Sequence, residues 1–211
     1  FPALVIFSNT TVGAGFNYGD FLSPPYGDLR FAASDKTTPL NFEVEKWDTT
    51  GNSYVWVQVP ALGDTNTVIW AFWGKATNAP PCATNGSVWT NGFRGVWHLN
   101  GTNMIQLDAT TNHNDASQLG SVVTGSVGQV DGSVHLDGST GYLSVSNSAS
   151  ITVSNNFCAE VWFKRDAYGA FDGFVSKLSD TYTKGWNLNF NNNNTTFAAF
   201  TVTWSVSWES S

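Results

Sequence analysis

The chain has 211 residues, 41 % of them hydrophobic, with 10 Trp, 15 Phe and 6 Tyr, which suffices for one large or two small cored domains and excludes a disordered chain. A net charge of −7 without a Lys/Arg cluster removes the attraction that nucleic acids and anionic membranes rely on, so neither is expected as a partner. Only 12 % of residues are charged, roughly half the usual globular share, and Asn, Thr, Ser and Gly fill the polar positions as on an extracellular surface.

Short β-branched and aromatic runs follow one another from the start: LVIF (4–7), DLRF (28–31), NFEVEKW (41–47), YVWVQVP (54–60) and TVIWAFWG (67–74). Gly, Pro, Asn and Asp separate them, as turns between antiparallel strands require. KATNAPPCATNGS (75–87) has no period, and Pro80-Pro81 favours an extended spacer. The expected division is a small β-sandwich over 1–75, a linker over 76–90 and a second sandwich over 91–211. GVWHLN (95–100), SVHLDGSTGYLSVS (133–146), FCAEVWFKR (157–165), GFVSKL (173–178), GWNLNF (185–190) and TFAAF (196–200) supply the later strands. No long 3.6-residue apolar period occurs, so the fold class is all-β, two tandem antiparallel β-sandwiches. No stretch approaches the ~20 apolar residues of a membrane span, and no membrane insertion is expected.

The last segment, TVTWSVSWESS, places Val202, Trp204, Val206 and Trp208 on one strand face and Thr201, Thr203, Ser205 and Ser207 on the other. Such a face needs cover, from an early strand of the same molecule or from a neighbouring copy, and it marks an assembly strand.

Glu43 and Glu45 in FEVEKWD are two apart on a predicted strand and share a face, with Asp48 close behind. Paired carboxylates ~5–5.5 Å apart serve retaining glycosidases. The plainer reading is the exposed polar face of a strand whose Phe42, Val44 and Trp47 are buried, and no catalytic residue is assigned. His98 and His135 fall on predicted strands and His113 in a polar loop, without transition-metal spacing or a nucleophile motif.

Asp108, Asn112, Asn114 and Asp115 form an oxygen-rich loop, and Asp131 and Asp137 flank the next strand. Turns require the same residues, but calcium is the cation such oxygens would take. Cys82 and Cys158 are read as a disulfide in an oxidising compartment, against the alternative of two buried thiols. Five Asn-x-Ser/Thr sequons, at Asn9, Asn85, Asn100, Asn193 and Asn194, point to a glycosylated, secreted chain. For sugar stacking, Trp89, Trp97, Trp186 and Tyr168 are the available aromatics.

FPALVIF, DLRFAASD, NFEVEKWD, VWVQVP and IWAFWG, in that order over residues 1–75, resemble an uncharacterised β-domain family of large secreted or surface proteins of bacteria and archaea. GVWHLN, DATTNHNDA (108–116), VGQVDGSVHLDGSTGYLSV (127–145), FCAEVWFK, FVSKL and GWNLNF resemble the opening strands of a concanavalin A-like, laminin-G-type jelly roll. In that family a jelly roll commonly follows the β-domain. The second resemblance implies a calcium site at the rim and a glycan- or protein-binding role; several further strands of the pattern are missing, so a neighbouring chain is expected to complete it.

The expected function is accordingly a non-catalytic extracellular structural or adhesive protein at the cell surface, either a module or a filament-type subunit that pairs strands between copies. Its partners are copies of itself, other surface proteins or glycans. A lectin-like module is the alternative, and a glycoside hydrolase ranks last because titrating groups are scarce and scattered.

Overall fold

The computed structural model describes residues 1–10, 15–63, 65–153, 156–166, 171–178, 185–191 and 196–202. Those residues are all-β, and every strand pairing among them is antiparallel. Their helical pieces are two three-residue turns, Tyr18–Asp20 and Pro81–Ala83. No helix among them is long and apolar enough to cross a membrane. By compactness the chain divides into Phe1–Thr152 and Val153–Ser211.

In the first unit β1 (Pro2–Phe7), β2 (Arg30–Ala32), β3 (Pro39–Leu40), β4 (Phe42–Lys46), β5 (Ser53–Gln58) and β6 (Trp70–Phe72) build two sheets, ordered β1-β5-β4 and β3-β2-β6. The period of two along β5 is clear: Ser53, Val55 and Val57 are buried, while Tyr54, Trp56 and Gln58 are half-buried on the other face. Phe7, Phe42, Val55 and Val57 of one sheet meet Phe31 and Leu40 of the other. The Phe31 ring lies 5.3 Å from Phe42 and 6.1 Å from Phe7, which makes the pair of sheets a small sandwich. Loop aromatics extend this core, with Phe16 stacked on Phe7 at 4.6 Å and Phe21 edge-on to Trp47 at 5.1 Å.

Buried Asp28 ties the loops around the sandwich together. Its carboxylate accepts N–H bonds from Leu22, Ser23 and Gly74. Burial alone would raise its pKa, but these donors outweigh it and hold the group below the usual carboxylate range.

Residues 76–90, expected as a spacer, lie in this first unit. Ala83 belongs to its core with Cys82 packed alongside, and Val88 and Trp89 are buried. The Pro-Pro pair ends regular pairing, yet the segment's apolar side chains find the sandwich surface, which a solvated spacer would not cover.

Farther along come β7 (Ile105–Gln106), β8 (Ala116–Leu119), β9 (Val122–Val127), β10 (Gly132–Leu136) and β11 (Tyr142–Val145), in sheets β11-β8-β7 and β10-β9. Gly120 between β8 and β9 has φ +68, and a Cβ there would lie 1.9 Å from the Thr140 carbonyl oxygen, so only glycine fits. The second unit holds β12 (Phe171–Leu178), β13 (Gly185–Asn191) and β14 (Thr196–Val202) in that order. Val202 closes β14 opposite Gly185. Trp204, Val206 and Trp208 lie outside the described residues.

Two expected strands are absent: 95–100 and 157–165 carry no ladder. For 95–100 the cause is visible, because its backbone groups pair with a loop instead: Val96 N–H donates to Asp108 Oδ1 at 2.9 Å, and Ala109 N–H donates to the Val96 carbonyl at 2.8 Å. In 157–165, Trp162 is 84 % exposed, while Phe157 packs on Trp186 at 4.7 Å and Phe163 stacks on Phe174 at 4.1 Å without a backbone ladder.

Phe42 is nearly fully buried between the two sheets. Phe42→Ala should therefore lower the unfolding free energy by about 3–5 kcal/mol, read by urea denaturation. A loss below about 1 kcal/mol, the level of surface substitutions, would mean that the sheets do not close on this ring.

Candidate functional site

The pleat of β4 turns Phe42 and Val44 toward the core and Glu43 and Glu45 to the other face. Glu43 stands opposite Trp56 of β5, and a register shift between Val44 and Lys46 falls at Glu45. Sequence reading expects this face to be exposed; the structure buries it. The side chains of Glu43 and His98 are each 14 % exposed and that of Glu45 only 3 %.

His98 sits between the two acids. Its Nε2 lies 2.9 Å from Glu43 Oε1 and its Nδ1 lies 3.1 Å from Glu45 Oε2. Two indoles complete the set: Trp89 Nε1 donates to Glu43 Oε2 at 2.6 Å, and Trp56 Nε1 donates to Glu45 Oε2. The Trp56 ring is stacked on His98 at 6.2 Å and meets Trp89 at 5.3 Å, while Phe93 packs edge-on to Trp89 at 5.4 Å.

Both imidazole nitrogens face carboxylates, so the group is best satisfied as the doubly protonated cation. Burial alone would lower its pKa, but the hydrogen bonds and charges of Glu43 and Glu45 outweigh that and raise it to about 9. A histidine so held is a poor general base near neutral pH, and neither nitrogen offers a metal a lone pair. What the arrangement does is fasten residues 89–98 to the outer face of the β1-β5-β4 sheet.

The oxygen-rich loop is a second hydrogen-bonded hub. Buried Asp108 accepts N–H bonds from Val96, Thr110 and Asn114 and the Thr110 hydroxyl, all at 2.8–2.9 Å. Asp115 Oδ1 accepts the Asp108 N–H at 2.9 Å. Asn112 donates to the Phe93 and Arg94 carbonyls, and Asn114 joins Arg94, Ser148 and Ser150. The Asp108 oxygens expected to face calcium thus face protons. Among the described residues no group of three or more His, Cys, Asp or Glu is placed to hold a metal ion.

The remaining expected positions scatter. Asn9 and Asn85 are exposed; Asn100 is half-buried, its Nδ2 3.4 Å from Asp131 Oδ2. Asn193, Asn194 and Tyr168 lie outside the described residues. Cys82 and Cys158 are both free thiols, one in each unit. Asp131 pairs with Lys46 at 3.6 Å, and Asp137 closes a turn through Ser139, Thr140 and Gly141. Trp97 donates to the Asn114 carbonyl at 2.8 Å, and Trp186 packs on Phe157 at 4.7 Å. Sequence reading missed the joining of His98, Trp56 and Trp89 to the two acids. The signal for Trp56 was present in its place on the outward face of YVWVQV; His98 lies 55 residues from Glu43 with no motif linking them.

A histidine whose folded pKa is raised contributes stability that is fully present below its unfolded pKa and is lost as pH rises through the folded one. With values of 6.5 and about 9, the window is pH 6.5 to 9 and the loss is on the order of 3 kcal/mol. Denaturant unfolding should show this fall in the natural sequence and not in His98→Gln, which should itself be destabilised by about 3–5 kcal/mol because two carboxylates lose their cation. Equal slopes for the two proteins between pH 6.5 and 9 would remove His98 from this role.

Residues 25–93, which carry β2 to β6, Glu43, Glu45, Trp56 and Trp89, match the model of a family described as a domain of unknown function (DUF2341). No curated protein and no solved structure matches the chain. The part of the chain that forms the small sandwich is thus similar to an uncharacterised domain family, and His98 lies just beyond the matched stretch.

Proposed function

We propose that the chain is a non-catalytic structural or adhesive module of an extracellular, cell-surface protein, associating with copies of itself or other surface proteins through strand edges and exposed sheet faces. The observation that supports this is the β9–β10 ribbon. Among the described residues neither strand has a second strand partner, and Val123 and Val127 of β9 are both exposed, Val127 at 95 %. Beside it, the cross-strand pair Leu119 and Tyr142 is also exposed. Apolar side chains on a strand with a free edge are the surface on which a strand of another chain adds.

The low charge and the exposed sequons at Asn9 and Asn85 support an extracellular place. The Glu43–His98–Glu45 set supports a structural rather than a hydrolytic use of these acids, since each is already engaged by a cation and an indole.

Analytical ultracentrifugation with electron microscopy tests this proposal. The natural sequence should sediment as dimers or larger assemblies, and the Val123→Lys, Val127→Lys double substitution should return it to monomer without lowering its melting temperature. A natural sequence that stays monomeric, or a double variant that assembles equally well, would sink the proposal.

A further inference from the structure

The outer face of the β3-β2-β6 sheet carries a feature that the association surface does not use. A groove of about 590 Å³ runs between β3 and the 80–87 segment, with Arg30, Lys36, Phe72, Asn85 and Ser87 among its lining. It contains two cations and no carboxylate, in a chain whose net charge is −7. Arg30 gives three hydrogen bonds, all to neutral backbone carbonyls: Gly27 at 2.9 Å, Leu29 at 2.6 Å and Asn78 at 2.7 Å. Lys36 Nζ stands 4.0 Å above the ring of Trp70. Among the described residues neither cation has an acidic partner within ion-pair distance.

Two exposed aromatic rings accompany these charges. Phe72 is 41 % and Trp70 38 % exposed, and both leave the same side of β6, where Phe72 is paired with Arg30 and Trp70 with Ala32. Flat rings at the surface stack on the C–H faces of sugars, while the Asn85 amide and the Ser87 hydroxyl supply hydrogen bonds for ring hydroxyls. A peptide strand is the poorer guest. The groove is bordered by Pro39, Pro80 and Pro81, none of which has an N–H to offer a peptide carbonyl.

We infer that this groove is a binding site for a carboxylated polysaccharide, a chain of uronic-acid residues whose carboxylates meet Arg30 and Lys36 and whose rings lie on Phe72. The inference goes beyond the association proposed above: it concerns residues 30–87, the association surface residues 119–142, and the two fail separately.

The test uses the full chain from a host without N-glycosylation, so that Asn85 is bare, with oligogalacturonate as probe. Calorimetry should show binding that weakens with added salt, and about tenfold weaker binding of the methyl-esterified, uncharged oligomer. Lys36→Asn and Phe72→Ser should each weaken binding about tenfold, the effect of ~1.4 kcal/mol. Asparagine suits position 36 because Lys36 has φ +64, a left-handed backbone that Asn tolerates. Should a variant fail to fold, amide shifts of the natural sequence on titration decide the matter, and they should move at residues 30–42, 70–73 and 80–87. Equal affinity for the esterified oligomer, shifts centred elsewhere, or no binding at millimolar probe overturns the inference. So does self-association that Phe72→Ser abolishes without any probe binding, which assigns the groove to a second copy.

Discussion

One ion set holds the layers of the first unit together: an imidazolium gripped by two carboxylates that the sandwich itself has taken out of water. Glu45 is almost wholly covered, so β4 cannot present it to solvent, and an uncompensated buried charge costs several kcal/mol. The partner arrives from residue 98, on a segment without a ladder of its own. Two indole N–H groups add to this: Trp89 bonds the Glu43 oxygen that the histidine does not reach, and Trp56 shares Glu45 Oε2 with it. Burying the acids is therefore tolerable only when residues 89–98 are in place, and that makes the sheet and the segment fold as one.

From there hydrogen bonds run outward in sequence. Val96, two residues before His98, donates to Asp108; Asp108 accepts from Asn114; Asn114 joins Ser148 and Ser150. Each link spans a dozen or more residues or closes a tight loop, and the last reaches almost to Thr152, where the first compact unit ends. Composition alone puts that boundary at the Pro-Pro pair, because a loss of periodicity looks the same whether a segment is solvated or laid against a sheet.

The strands of residues 1–74 are legible in the sequence because alternation is a local property: YVWVQV reads inside-outside with no knowledge of the partner sheet. The outward acids are equally legible, but their environment is not. Whether Glu43 meets water or a histidine depends on residues 46 and 55 positions away, which no local pattern encodes. The Asp108 loop shows a different limit. Aspartate and asparagine serve cation sites and tight turns alike, and only the direction of the neighbouring N–H groups tells which; here they point at the carboxylate. In 95–100 the apolar-polar rhythm is real, but a ladder needs a partner, and the backbone found a loop.

The scarce charges of this chain act at fixed points, and their titrations bracket its stability from both sides. Asp35 and Asp48 have lowered pKa values, chiefly through side-chain bonds from Thr38 and Thr50, and Asp137 through the Gly141 N–H. A depressed carboxylate contributes stability that is present above its unfolded value of 3.8 and is lost as pH falls. These three are solvent-exposed turns, so each effect is small, whereas Asp28 is buried among three loop donors and adds to the same acid-side loss. His98 acts with the opposite sign, its contribution whole below 6.5 and gone above about 9. With acids failing below and the imidazolium failing above, the first unit is most stable in mildly acidic solution. Net charge points the same way, since protonating carboxylates of a chain at −7 relieves repulsion before the turns themselves are lost.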